Sequence, residues 1–399
     1  MTNVIGKYYI GLMSGTSADG IDIALVDMSD PERNSKLVAS YYQGYSAATA
    51  KKITSLYNPS ENEIDRAFSL DVELAHHFSQ AIKALLLQEN LTAKDIVAIG
   101  SHGQTIRHRP CNDHAFTLQI GCSQTLACLT GIRVIGQFRV KDIALGGQGA
   151  PLVPVFHQQI FSQKNDDVFV VNIGGIANIS FLPAQNNASQ GRTQQVIGFD
   201  TGPGNALLDD WFKMHHQDSS LNFDKDGAWA KQGKINQSLL AALLSDDYFN
   251  LAPPKSTGRE VFHLAWLTKK LERFTKENAG QILQNLCAPH DVQATLVAFT
   301  AITISNDIKA LANSGKVYLC GGGAHNQQLV KALEHSLLND NTEQVFTVLP
   351  TENCGIDGDL LEAMAFAWLA FAYDHNLPSN MPEVTGASRV CTLGTAFLP

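Results

Sequence analysis

Tyr8–Met13 is apolar and β-prone, and it runs into the turn Ser14-Gly15-Thr16-Ser17-Ala18-Asp19-Gly20. Beyond the turn, Ile21, Ile23 and Leu25 alternate with Asp22, Ala24 and Val26. Apolar alternation on both sides of a glycine-bearing turn predicts a β-hairpin. From Leu70 the period changes, and Leu70, Leu74, Phe78, Ile82 and Leu85 share one face of a helix. Ile96–Gly100 predicts a short buried strand leading into the loop Ser101-His102-Gly103-Gln104-Thr105.

Arg133–Phe138 predicts a further strand, followed by Asp142 and the glycine-rich segment Gly146–Pro151. The first domain boundary is expected near residues 140–150. Asn165–Asp167 predicts a polar turn. Val168–Val171 and Ile179–Leu182 flank Asn172-Ile173-Gly174-Gly175-Ile176-Ala177-Asn178, a second strand–turn–strand unit. Gln185–Thr193 reads as a polar loop. Val196–Phe199 predicts a strand ending at Asp200, where Thr201-Gly202-Pro203-Gly204-Asn205 turns the chain into a helix bearing Leu207, Trp211 and Met214. Val292, Leu296, Phe299 and Ile302 mark a long helix. Val317–Cys320 predicts a strand that Gly321-Gly322-Gly323 turns into the helix of Leu329, Val330, Leu333 and Leu337. Strands followed by helices recur throughout, an α/β pattern. Residues 8–27 and 168–182 are architecturally alike, so two related α/β domains are expected, each offering a hairpin turn to a shared cleft. The expected extents are 1–145 and 146–379, with 380–399 packed on the first.

The 399 residues give a prior of two domains, or three small ones. A hydrophobic share of 44% and a charged share of 17% belong to a globular chain and exclude a mostly disordered one. The longest apolar run, Ala363–Tyr373, has 11 residues. A membrane span needs about 20, so this run predicts a buried helix. No basic segment leads into an apolar stretch at the N-terminus, and the 7 cysteines include no C-x-x-C pair. The expectation is a cytoplasmic protein with reduced thiols, without a disulfide frame or zinc site. The net charge of −9 argues against a dedicated nucleic-acid binder, whose affinity rests on neutralising phosphates.

Glycine turns after strands let backbone N–H groups approach an anion. Such turns occur at Ser14–Gly20, Asn172–Asn178 and Gly321–Gly323, and no G-x-x-x-x-G-K-[ST] loop accompanies them. A single turn is as well explained by backbone geometry. Several turns in two halves favour a nucleotide held between domains. The expected nucleotide contacts are Gly15, Thr16, Ser17, Ala18, Asp19, Gly20, Ile21 and Asp22, together with Gly174, Gly175, Gly322 and Gly323.

Gly11–Asp22 resembles the opening signature of the anhydro-N-acetylmuramic acid kinases. Ser101–His108, Gly146–Pro154, Asn172–Asn178, Phe199–Asn205 and Glu362-Ala363 also resemble segments of that family, in the same order and over nearly the whole chain. The family belongs to the sugar-kinase, heat-shock-protein and actin superfamily. The resemblance implies a two-domain actin-like ATPase (ribonuclease H-like) fold with ATP in an interdomain cleft. It also implies a reaction in which the 1,6-anhydro bond is hydrolysed while O6 is phosphorylated, giving N-acetylmuramic acid 6-phosphate for cell-wall recycling. Mg2+ is expected with the ATP. Many superfamily members open the first phosphate loop with an Asp that helps hold the metal. Here Met13-Ser14-Gly15-Thr16 stands in its place, and no metal ligand is assigned. The expected partner is a small amino sugar, with no nucleic acid and no membrane, and a homodimer is allowed.

By position alone Asp200 reads as a turn or N-cap residue. The resemblance makes it the general base that draws a proton from the attacking water. Glu362 opens the apolar helix, where a carboxylate ordinarily complements the helix dipole. The resemblance alone makes it a second acid near the sugar. His102, Gln104, Asp142 and Gln148 either bind the sugar or satisfy loop backbone. Arg107, His108 and Arg109 either face the lactyl carboxylate or form a solvated turn. Of Asp209 and Asp210, one is expected in the cleft and one in solvent, and His215 and His216 are expected to cap their helix. The rival readings are a kinase for an ordinary amino sugar, a non-catalytic actin-like or chaperone-like ATP-binding protein, and a glycosidase with two carboxylates.

Overall fold

The computed structural model describes residues 7–29, 35–186, 195–217, 221–253, 255–259, 261–277, 288–338 and 345–399. Most of the expected polar loop at Gln185–Thr193 lies outside them. Contacts divide the chain into one unit of Met1–Ile160 with Leu360–Pro399 and a second of Phe161–Asp359. The first boundary thus falls later than the 145/146 expected, and the C-terminal segment belonging with the N-terminal unit begins at Leu360, earlier than 380.

The first unit starts with β1 (Tyr8–Ser14), β2 (Gly20–Asp27) and β3 (Lys36–Gly44), an antiparallel meander. Then follow α1 (Ala47–Thr54), α2 (Glu63–Gln88), β4 (Ile96–Arg109), β5 (Phe116–Ile120), α3 (Ser123–Thr130), β6 (Val134–Gly136), α4 (Phe138–Ala144) and α5 (Pro154–Phe161). The second unit contains β7 (Val168–Ile173), β8 (Ile176–Leu182), β9 (Ile197–Pro203), α6 (Ala206–His215), α7 (Gln237–Leu244), α8 (Leu264–Glu277), α9 (Pro289–Leu311), β10 (Ser314–Cys320), α10 (Gln327–Leu337) and β11 (Val345–Pro350). The chain ends in α11 (Leu361–Asp374), α12 (Pro382–Thr385) and β12 (Thr395–Phe397) of the first unit.

One sheet has the order β12-β6-β4-β1-β2-β3, with β5 on β4, and the other the order β11-β10-β7-β8-β9. In each, an antiparallel meander of three strands continues through strands parallel to its first: β4 and β6 beyond β1, β10 and β11 beyond β7. That order is the ribonuclease H-like one. Its presence in both units makes this an α/β protein of the two-domain actin-like ATPase fold.

In the first unit the two faces of β1 serve different helices, because successive side chains point to opposite sides. Ile10 and Leu12 join Leu70, Leu74, Phe78 and Ile82 of α2 in one core cluster. The other face carries Gly11, which pairs with Gly100 of β4. A Cβ at Gly11 would lie 1.7 Å from the Ala363 carbonyl oxygen, and one at Gly100 would lie 1.9 Å from that of Phe366. The paired glycines therefore let the backbone of α11 rest directly on the sheet. This seat explains why α11 is apolar nearly all round, with Ala363–Ala372 buried. In the second unit, α9 packs Leu296, Phe299 and Ile304 into the cluster formed by Phe169, Val171 and Ile179 of the sheet.

Three expectations about strands need correction. β4 does not stop at Gly100 but continues to Arg109, because its polar second half pairs with β5. His102 and Gln104 are therefore strand residues. β9 likewise continues past Asp200 to Pro203. Asn178 pairs with Asp200 across the sheet, and β9 is its edge, where Pro203 removes no ladder bond the sheet needs. Asp200 thus lies within a strand, well ahead of the N-terminus of α6. Arg133–Phe138 contains only the short β6, and Phe138 already begins α4.

Candidate active site

The β1–β2 turn is braced from beneath. Ser14 Oγ donates to Gln104 Oε1 at 2.6 Å, and Gln104 Nε2 donates to the Gly15 carbonyl at 3.0 Å. Tyr57 OH donates to the Thr16 carbonyl at 2.8 Å, and Ser17 Oγ donates to Asp19 Oδ1 at 2.8 Å. Ala18 is buried in a left-handed conformation with φ 53°, its N–H donating to the Gly15 carbonyl at 3.1 Å. Thr16, Ser17 and Asp19 are exposed. Two of the expected nucleotide contacts are occupied otherwise. The Ile21 side chain is wholly buried in the core, and Gly20 is needed because a Cβ there would come within 2.6 Å of the Tyr42 ring. Gln104, expected as a sugar ligand, is fully buried and hydrogen-bonds to this turn.

Gly15 has no such internal reason to be glycine. A Cβ on it would meet only Ser17 Oγ, at 3.6 Å. The same holds at Gly174, where only the Ile176 carbonyl lies near, at 3.5 Å, and at Gly175 and Gly322, where nothing comes closer than 3.6 Å. None of these glycines has a positive φ. Neither packing nor backbone conformation demands them, and each leaves its backbone face open. Gly323 differs, since its Cβ would lie 2.3 Å from Ile173 Cγ2, and Gly321 has φ 76°.

In the second unit, the glycine turns converge on Asn205. Its N–H donates to the Gly174 carbonyl at 2.7 Å and its Nδ2 to the Ile173 carbonyl at 3.2 Å. The N–H groups of Gly204 and Ala206 both donate to the Gly175 carbonyl. A Cβ at Gly322 would come within 3.6 Å of Asn205 Nδ2. The turns after β7, β9 and β10 thus form one backbone cradle at the start of α6, with the chemistry to hold phosphates.

A second group gathers around Arg139 of α4, within the first unit. Arg139 donates to His102 Nε2 from Nε at 3.1 Å and from Nη2 at 2.9 Å, and Nη1 donates to the Gly149 carbonyl at 2.8 Å. His102 Nδ1 lies 2.8 Å from the Gly103 carbonyl, so His102 carries its proton on Nδ1 and is neutral. Burial, then the neighbouring Arg139 charge, push its pKa down to about 3. Burial raises the Glu362 carboxyl above its ordinary range, with Arg139 opposing. Glu362 occupies the first turn of α11. Asp142, fully buried, accepts from Gly149 N–H at 2.8 Å, Thr385 Oγ1 at 2.8 Å and Asn380 Nδ2 at 3.2 Å. Asp142, expected as a sugar ligand, ties the glycine-rich loop to the C-terminal segment. Gln148 N–H donates to the Thr385 carbonyl at 2.7 Å in the same knot, and its side chain is half-buried. Arg107 ion-pairs with Glu63 and donates to the Leu56 carbonyl at 3.0 Å, and His108 bonds Thr117 Oγ1 at 3.0 Å. Neither forms the solvated basic turn.

Asp200 is held by a segment that its sequence does not advertise. Ser256 Oγ donates to Asp200 Oδ2 at 2.8 Å and Thr257 N–H donates to the same oxygen at 3.0 Å. Asp200 N–H donates to the Lys255 carbonyl at 3.1 Å, and Tyr248 OH donates to the Asp200 carbonyl at 2.6 Å. Donors aimed at a carboxylate favour its charged form. Asp210 pairs with Arg259 at 2.8 Å, while desolvation raises the pKa of the half-buried Asp209 to about 7. His216 Nδ1 reaches the Phe212 carbonyl at 3.2 Å, a helix-end contact. The sequence reading missed Arg139, Asn205, Tyr248 and Lys255–Thr257. The polar run from Lys255 to Arg259, with no helical or strand period, is the one signal that could have marked the last.

Among the described residues no group of three or more His, Cys, Asp or Glu side chains could hold a metal ion, no cysteine forms a disulfide, and no helix is long and apolar enough to cross a membrane. The family model for anhydro-N-acetylmuramic acid kinase matches residues 7–399. The anhydro-N-acetylmuramic acid kinase of Colwellia psychrerythraea is 63% identical over 99% of this chain and 98% of its own. That of Shewanella denitrificans is 46% identical over 98% of each. Among solved structures, the activator of the 2-hydroxyisocaproyl-CoA dehydratase from Clostridium difficile with bound ADPNP aligns with a TM-score of 0.42 at 13% identity, over 91% of this chain and 94% of that one. With a family match across almost its whole length and relatives this similar end to end, the chain belongs to the anhydro-N-acetylmuramic acid kinase family.

Proposed function

We propose that the chain is an ATP-dependent kinase that opens the 1,6-anhydro ring of anhydro-N-acetylmuramic acid with water and phosphorylates O6. The products are N-acetylmuramic acid 6-phosphate and ADP, and the role is recovery of cell-wall sugar in the cytoplasm. The observation that carries this reading is Asp200, a carboxylate on the edge strand β9 that accepts from Ser256 Oγ and Thr257 N–H.

Asp200 is the general base. Water attacks C1 and gives its proton to Asp200 as the C1–O6 bond breaks. The electron pair of that bond makes O6 the nucleophile. ATP supplies the phosphoryl group, the bond between the γ-phosphorus and its bridging oxygen breaking as O6 binds. Phosphoryl transfer asks the protein mainly for positioning and charge stabilisation. The open backbone at Gly174, Gly175 and Gly322 of the second unit, with turns that Asn205 fixes, supports phosphate binding there, and Gly15 offers a like open backbone within the first unit. Mg2+ accompanies the phosphates in this reading, with no side chain assigned to it. Glu362, its carboxyl raised by burial with Arg139 opposing, is the second acid near the sugar in this reading.

Asp200→Asn tests the reading. It keeps size and much of the hydrogen bonding but removes the base. Turnover of the anhydro sugar should fall by at least about 10²-fold, with ATP and sugar binding largely kept. Near-normal turnover would show that the base lies elsewhere.

A further inference from the structure

Lys255 is 6% exposed, and its Nζ lies 3.2 Å from Asp307 Oδ1 on α9. The ammonium also lies 5.6 Å from the centre of the Phe199 ring and 5.3 Å from that of Tyr248. Phe199 directly precedes Asp200, and Tyr248 OH bonds the Asp200 carbonyl. The backbone of Lys255 accepts from Asp200 N–H, and the next two residues supply both donors described to Asp200 Oδ2. A lysine that only decorated a loop would keep its ammonium in water. This one is drawn inward to a carboxylate and two aromatic faces, where a charge is tolerated only if paired.

We propose that Lys255-Ser256-Thr257 is a clamp that aims the Asp200 carboxylate, with the pair of buried Lys255 and half-buried Asp307 as its anchor in α9. The proposal rests on the reading of Asp200 as the base. Lys255 and Asp307 are positioning residues: they act through the loop and touch no reacting atom. Ser256 also tunes the base, because its hydroxyl favours the charged carboxylate.

The test uses the full chain and follows ATP consumption with the anhydro sugar across pH. Ser256→Ala removes one donor to Oδ2, so the Asp200 pKa rises and the acidic limb of the kcat profile should move to higher pH. Lys255→Met alone would leave the half-buried Asp307 without its cation and would endanger folding. Lys255→Met with Asp307→Asn removes both charges together. That double variant should lower kcat by on the order of 10-fold or more, the scale expected for a misplaced catalytic group. KM for ATP and for the sugar should stay within about twofold, since only the aim of the base changes. An unmoved acidic limb in Ser256→Ala, together with unchanged kcat in the folded double variant, would overturn the clamp even if Asp200→Asn is inactive. Full turnover in Asp200→Asn would instead remove the base, and the clamp with it.

Discussion

Gln104 and Ser14 share a 2.6 Å hydrogen bond inside the first unit, and through it a residue of β4 fixes the start of the β1–β2 turn. The same amide donates to the Gly15 carbonyl at 3.0 Å, so one side chain holds both ends of the turn's first peptide. Gln104→Leu should remove both bonds, at about 0.5–1.5 kcal/mol each, while Ser14 Oγ keeps Tyr45 OH and the Gly15 carbonyl keeps the Ala18 N–H. It should also raise KM for ATP more than KM for the sugar. Denaturant unfolding and paired substrate titrations check both. A change confined to the sugar would restore Gln104 as a sugar ligand.

The glycines separate into two classes by what a Cβ would meet. Gly15→Val should leave the unfolding midpoint nearly unchanged, because the added carbon meets only Ser17 Oγ, yet it should weaken ATP binding by obstructing the open backbone. Gly11→Ala should do the reverse. Its Cβ collides with the Ala363 carbonyl, so the seat of α11 is lost and the protein is strongly destabilised. Calorimetric ATP titration beside thermal unfolding distinguishes the two.

These examples show what the sequence made legible. Both hairpins were readable because β1–β2 and β7–β8 alternate cleanly around glycine turns, and the α/β fold and the family followed from the motifs. The seat of α11 was not, since Gly11, Gly100 and Ala363 meet across most of the chain length and no local period encodes that. Thr201-Gly202-Pro203 reads as a turn, yet it is an edge strand, where proline is tolerated. His102 and Gln104 read as a loop because polar residues in β4 face hydrogen-bond partners that only the tertiary structure supplies. Lys255–Thr257 has neither periodicity nor a cap pattern, and its meaning lies in Asp200 and Asp307, both distant in sequence.

Buried histidines set the acid limit. His157 is 1% exposed, and burial pushes its pKa down to about 3. An unfolded histidine titrates near 6.5, so below that pH the unfolded chain binds the proton and the folded chain does not. Stability from this neutral site is therefore full above about pH 6.5 and is lost as pH falls, by about 2 kcal/mol between pH 7 and 5. His102 acts in the same direction. Asp209, raised to about 7, acts oppositely: its contribution is present at low pH and is lost as pH rises toward 7. Comparing His157→Gln with the unmodified chain isolates one site. The variant should lose about 2 kcal/mol less than the parent between pH 7 and 5 in denaturant unfolding. Equal losses would show that His157 charges freely in the folded state.

In the proposed reaction, water opens the ring at C1 in the step that frees O6. Turnover of anhydro-N-acetylmuramic acid with ATP in water enriched in heavy oxygen tests it most directly. The product is analysed by mass spectrometry at early times, beside unlabelled product incubated in the same water to correct for anomeric exchange. The account predicts one solvent oxygen at C1 of N-acetylmuramic acid 6-phosphate and none in the bridge between C6 and phosphorus. A phosphorylated product with no solvent oxygen at C1, or with solvent oxygen in that bridge, would contradict it.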